Sequence, residues 1–191
     1  MDRGNHYEAA FEAYLQDKGL SYIAIDETRR ALYGERSLKN LDFIVHASAA
    51  SHLLIDVKGR RFPAGPPTRP RAVWECWSTS DDLEALDYWR RLFGPGYQGL
   101  LLFLYDIDAA VKLPDDVEDL WSFRGRRYLL RAVAADDYQM HRRVRSQRWG
   151  TVSLPADVYQ RLAQPFTHFI QQAVPAVEDI YDMLASDTAP Y

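Results

Sequence analysis

Asp42-Phe43-Ile44-Val45-His46 and His52-Leu53-Leu54-Ile55-Asp56-Val57-Lys58 decide the reading of this chain. Both stretches are rich in β-formers, and the small residues Ala47-Ser48-Ala49-Ala50-Ser51 between them suit a hairpin connection. A hairpin folded symmetrically about Ala49 sets Asp42 directly opposite Asp56. Directly opposed Cβ atoms lie roughly 5 Å apart, where like charges repel unless a cation is shared between them. Side chains alternate along a strand, so Lys58 shares a face with Asp56 and Leu54. The expectation is two carboxylates on one divalent cation, with an ammonium group just beyond it. The plainer alternative is a polar hairpin face tied by a surface salt bridge. Charges set in strongly apolar strands are costly unless paired or metal-bound, which favours the metal.

The chain has 191 residues, 47% hydrophobic and 26% charged, which suits one substantial core and a single domain over 1–191. No apolar run approaches a membrane span, and the N-terminus carries no secretion signal. The single cysteine, Cys76, excludes an internal disulfide and fits a reducing cytoplasm. It lies between Trp74 and Trp77 and reads as a small buried hydrophobe. Net charge is −4, yet charge is segregated. Lys58, Arg60, Arg61, Arg69 and Arg71 follow one another with no acid between them. Eight arginines then lie between Arg124 and Arg148 against Asp136 and Asp137. Such segregation creates a local positive face on an acidic protein, or else a solvated arginine-rich surface.

Asn5 is placed to cap a helix running to about Lys18, ended by Gly19. Its apolar stripe is Tyr7, Ala10, Phe11, Tyr14 and Leu15; Glu8 falls at the stripe's edge and Glu12 lies further round. A strand over 21–25 and a charged excursion precede the hairpin. Residues 59–71, with Pro63, Gly65, Pro66, Pro67 and Pro70, read as a cationic loop. A strand over 72–77 follows, then a helix over 81–93 capped by Ser80, then an interior strand over 99–105. This order is an α/β/α sandwich on a mixed central sheet. Residues 106–191 form a C-terminal α/β extension packed on the core. It has strands near 121–123 and 128–133 joined around Gly125, a helix over 136–145, an extended piece over 149–154, and a long helix from Pro165 to Leu184. Pro175 kinks that helix, whose apolar stripe covers the core or, alternatively, seams a homodimer.

A helix bearing Glu8, then Asp42, then Asp56-Val57-Lys58, then helix and buried strand, resembles the PD-(D/E)XK nuclease superfamily over residues 5–105. Small archaeal Holliday-junction resolvases and Mrr-type endonuclease domains are similar in layout; a second likeness, to a bacterial protein family, adds no function. The resemblance implies a restriction-endonuclease-like fold and Mg²⁺-dependent cleavage of DNA, with Mn²⁺ as a substitute. It assigns metal binding to Asp42 and Asp56, with the Val57 carbonyl and Glu8 as further ligands, and water activation to Lys58. Leu41 replaces the proline before Asp42, and Glu84 and Tyr88 stand where exonuclease members carry Gln-x-x-x-Tyr, which points to an endonuclease or nickase. On this reading Arg60, Arg61, Arg69 and Arg71 would contact phosphates, which sets register without reading sequence. Glu75 is either a further site carboxylate or a salt-bridge partner for these arginines. Trp74 and Trp77 either stack on bases or belong to the core. His6 is near enough in sequence to Glu8 to reach a site; His46 faces His52 at the turn, as a metal pair or as two exposed rings. A non-catalytic nucleic-acid-binding or scaffold module on the same fold is the rival reading.

Overall fold

Asn5 accepts the Tyr7 N–H on its side chain and so starts α1 (His6–Asp17). At the other end Gly19 adopts φ +64°. The Gly19 and Leu20 N–H groups return to the carbonyls of Gln16 and Leu15, as a Schellman closure requires. This computed structural model describes residues 5–25, 31–33, 36–48, 50–66 and 68–172. Strand β1 (Ser21–Ala24) is followed by a small hairpin, β2 (Ala31–Tyr33) and β3 (Arg36–Leu38). Then come β4 (Phe43–His46), β5 (His52–Phe62), β6 (Trp77–Thr79), α2 (Ser80–Phe93) and β7 (Tyr97–Ile107). The rest of the described chain is β8 (Leu120–Phe123), β9 (Arg126–Ala134), α3 (Ala135–His141), β10 (Arg143–Ser146), β11 (Thr151–Ser153), α4 (Ala156–Leu162), β12 (Gln164–Pro165) and α5 (Phe166–Gln172).

The central sheet runs β1-β4-β5-β7-β9-β12, with β8 also paired to β9. β5 and β7 are parallel, joined through α2, and the other pairs are antiparallel. Alternation divides the core into two layers. Val45, Ile55, Leu102 and Leu130 meet α1 and α5 on one face. Ile44, Leu54, Phe103 and Val133 meet α2, α3 and α4 on the other. The result is an α/β/α sandwich on a mixed sheet. Among the described residues no helix is long and apolar enough to cross a membrane.

Four expectations are corrected. β5 runs through Phe62, into the stretch read as loop, because each of its residues from His52 to Phe62 pairs with β7. Residues 72–76 are not a strand: the Tyr105 hydroxyl donates to the Glu75 carbonyl and the Tyr138 hydroxyl to that of Cys76, so side chains satisfy groups a neighbouring strand would have taken. Thr79, not Ser80, caps α2. The helix after Ala135 ends at His141 because Arg143 onward pairs with β11. Of the long C-terminal helix, α5 seats Phe166 and Phe169 in the core, while Pro175 and Leu184 lie outside the described residues.

Candidate active site

The β4–β5 ladder pairs Phe43 with Ile55, Ile44 with Leu54, Val45 with Leu53 and His46 with His52, symmetric about Ala49 as expected. Asp42 sits where β4 begins, and its Oδ2 accepts the Val57 N–H at 2.5 Å. Asp42 and Asp56 therefore flank one peptide link of β5, both buried. Alternation turns Asp56 and Lys58 toward the α2 layer, and Lys58 Nζ lies 2.6 Å from Asp56 Oδ2. The convergence comes from three local features: the tight hairpin, the period of two, and the strong pairing of β5 on both edges.

A fourth charged group was not singled out from sequence. Asp82, in the first turn of α2, takes Lys58 Nζ on Oδ2 at 2.8 Å. It also accepts from the Ser78 hydroxyl (2.7 Å) and the Thr79 N–H (2.8 Å). Lys39 closes on its other oxygen, and the Trp89 indole steadies Lys39 by donating to its carbonyl at 3.1 Å. The sequence signal was Thr79-x-x-Asp82, a capping-box spacing in which the aspartate caps the strand-to-helix corner and salt-bridges at once. Assigning the cap to Ser80 hid it among the solvated acids of α2.

Electrostatics separates the two acids that hold Lys58. Burial raises the Asp56 carboxyl above its ordinary range, reinforced by Asp82 and opposed by Lys58 and Lys39. Burial acts the same way on Asp82, but Lys58 and Lys39 overcome it and hold Asp82 well below the usual range. Burial likewise disfavours charge on Lys39, yet Asp56, Asp82 and Asp42 together raise its pKa. The cluster carries three carboxylates against two ammonium groups. Only Lys39 reaches far into solvent, its side chain 47% exposed against 11% for Lys58.

The remaining residues fall elsewhere. Glu8 is buried on α1, in the layer opposite Asp56, and accepts from Asn5 Nδ2 at 2.6 Å. Glu12 accepts from the Tyr22 hydroxyl, and His6 Nδ1 meets the Tyr128 hydroxyl at 2.9 Å. Arg60 is buried, donates to the Trp77 carbonyl and lies 3.9 Å over the Trp77 ring. Arg61, Arg69 and Arg71 are exposed; Arg71 pairs with Glu75 at 3.2 Å, the salt-bridge alternative for that glutamate. Trp74 stacks on Phe62 in the core. Cys76 is buried, and burial pushes its thiol up, away from nucleophile chemistry. His46 and His52 approach to 2.9 Å between Nδ1 atoms, one ring donating to the other. Among the described residues no three His, Cys, Asp or Glu side chains group closely enough to hold a metal together.

No protein-family model matches the chain, and no curated protein sequence matches it. A solved structure does: Hjc, a Holliday junction resolvase from the archaeal hyperthermophile Archaeoglobus fulgidus. It is 16% identical with a TM-score of 0.51, over 87% of this chain and 99% of that one. The fold is therefore a restriction-endonuclease-like fold shared with this resolvase, and the match takes in more of the chain than residues 5–105.

Proposed function

We propose that this chain is a metal-dependent nuclease that hydrolyses DNA phosphodiester bonds as an endonuclease or nickase, with Asp42, Asp56 and Lys58 as its catalytic set. The observation that carries the reading is the burial of two carboxylates around the Asp56–Val57 peptide with the Lys58 ammonium against one of them. The donor set fits Mg²⁺, which is commonly held by one or two carboxylates while keeping several waters. Asp42 and Asp56, with the Val57 carbonyl, would hold it, while Glu8, buried on α1 in the opposite layer and bonded to Asn5, does not join them. Bound there, the cation would neutralise charge on the phosphoryl oxygens and ease deprotonation of the attacking water.

The chain's own groups do the rest. Lys58, fixed between Asp56 and Asp82, donates a hydrogen bond to the attacking water and stabilises negative charge at the phosphorus centre. A lysine can also release a proton, as an arginine there could not. Asp82 is a positioning residue that keeps Nζ from swinging away, and Lys39 offers its exposed ammonium to a flanking phosphate. The test is cleavage of plasmid, branched and single-stranded DNA with Mg²⁺ or Mn²⁺. Asp56→Ala and Lys58→Ala should each lose at least about 100-fold, at the low end of what positioned acid–base and electrostatic groups supply. Activity on none of these substrates, or activity unchanged from wild type in the two variants, would end the proposal.

One observation favours the rival module: Lys58 already satisfies two carboxylates, and no third acidic ligand joins Asp42 and Asp56 among the described residues. Calorimetry separates the two. The nuclease binds Mn²⁺ and loses that binding in Asp42→Asn, whereas the module binds DNA in a salt-sensitive way with no metal uptake.

A further inference from the structure

From Met140 to Pro155 the chain contains Arg142, Arg143, Arg145 and Arg148 and no acid, on a protein whose net charge is −4. The structure folds this stretch into the β10–β11 hairpin. At its tip is a turn closed by the Gly150 N–H on the Gln147 carbonyl (3.2 Å), with Gly150 at φ +56°. Trp149 occupies that turn and is 68% exposed, with the Arg148 guanidinium 5.1 Å from its ring centre. Val144, 66% exposed, lies on the arm leading to the tip. A large indole left in water among cations is not core material and is not a solvated charge face.

The hairpin is bolted along its β11 arm to the candidate cluster. β11 pairs with β6, Ser78 opposite Val152, and Ser78 is the residue whose hydroxyl holds Asp82. The Ser80 N–H donates to the Gly150 carbonyl, and Arg142 donates to the Ser80 hydroxyl at 3.0 Å. The Trp77 ring takes Arg60, two residues from Lys58, at 3.9 Å and Arg145 of the hairpin at 5.2 Å. A strand gripped by the hairpin would thus lie against the same strand-to-helix corner that positions Lys58.

We infer that the β10–β11 hairpin is a binding element for DNA with unpaired bases, its arginines tracking the phosphates and Trp149 stacking on one base. Charge complementarity selects a polyanion, and the indole selects among polyanions: paired bases in duplex DNA keep their faces stacked, while an unpaired base offers its π-face. The inference rests on the nuclease reading for its choice of DNA, but its test does not need cleavage.

The experiment is fluorescence anisotropy in EDTA with two labelled probes of equal duplex length, one blunt and one bearing a single-stranded tail. Wild type should prefer the tailed probe. Trp149→Ala should weaken tailed binding about tenfold and blunt binding less than about twofold, while Trp149→Phe, which keeps a ring, should stay close to wild type. Arg143→Ala, Arg145→Ala and Arg148→Ala combined should flatten the logarithmic salt dependence by roughly 2. Thermal unfolding of each variant verifies folding. No binding to either probe, equal binding of both, or unchanged affinities in Trp149→Ala would overturn the inference. So would capture by phosphatidylserine vesicles with DNA affinities unaltered, which would make the hairpin a membrane-surface element. Loss of cleavage with tailed binding intact would instead sink the nuclease reading and leave the hairpin standing.

Discussion

At the scale of single residues, Asp56 and Asp82 share one lysine but respond oppositely to pH. The folded protein raises the Asp56 carboxyl, so between the unfolded value of roughly 3.9 and the folded one the native state binds more protons than the unfolded chain. Stability from this group therefore falls as pH rises through that window. Asp56→Asn removes the penalty: unfolding at neutral pH should show a gain of about 1 kcal/mol, the size usual when a strained functional group is relieved, and the gain should vanish in acid. Asp82 runs the other way. Its depressed carboxyl contributes stability that is full above about pH 4 and is lost as pH falls toward the folded value. Asp82→Asn breaks a buried pair and a helix cap together, and should cost about 3 kcal/mol. A stabilised Asp56→Asn beside a destabilised Asp82→Asn would support the proposal that one acid is kept for chemistry and the other as structural support. Equal losses in both would make the cluster a structural ion-pair network.

At the scale of elements, α1 meets β5 through one missing side chain. A Cβ on Gly59 would lie 2.1 Å from the Tyr7 ring, so the glycine is what lets the helix settle over the strand that carries the candidate site. Gly59→Ala should cost about 2 kcal/mol through overpacking. In Tyr7→Ala the same change should cost little, and that coupling, read from a double-mutant cycle, separates a packing clash from a general strand effect. The elements legible in sequence were those whose signals are local. Asn5 and Gly19 bound α1, alternation and a small-residue turn give the β4–β5 register, and Arg124 with Gly125, both at positive φ, make the two-residue turn between β8 and β9. Misread elements depended on distant partners. Residues 72–76 have strand composition, but Tyr105 and Tyr138 take their carbonyls. The Arg60-Arg61 end of β5 has loop composition, but β7 holds it extended. Asp82 was missed for the same reason, because its lysines are distant in the chain: Lys58 comes from β5 and Lys39 from 43 residues upstream.

At the scale of the molecule, the described residues past 105 do not form an appendage to a finished core. β9 pairs with β7 from Leu100 to Ile107, and its side chains enter both layers: Leu130 and Ala132 toward α1, Leu129 and Val133 toward α2. β11 extends β6, and the Tyr138 hydroxyl donates to both Cys76 and Val152 carbonyls, tying α3 to the segment ahead of the site. Without β9, the apolar middle of β7, Leu100 to Leu104, becomes an unprotected sheet edge with apolar side chains on both faces, the configuration most prone to pair with another chain. A chain cut after residue 110 should therefore aggregate on expression, although it keeps Asp42, Asp56, Lys58 and Asp82. Supplying residues 111–191 as a second polypeptide should restore solubility by returning β9 to its place. A soluble 1–110 fragment that unfolds cooperatively would refute this and return the C-terminal third to the status of an added module. Insolubility relieved by the second piece would place the resolvase-like layout and the arginine–tryptophan hairpin in one cooperative unit, so that the proposed grip at Trp149 and the proposed chemistry at Lys58 would share a single frame.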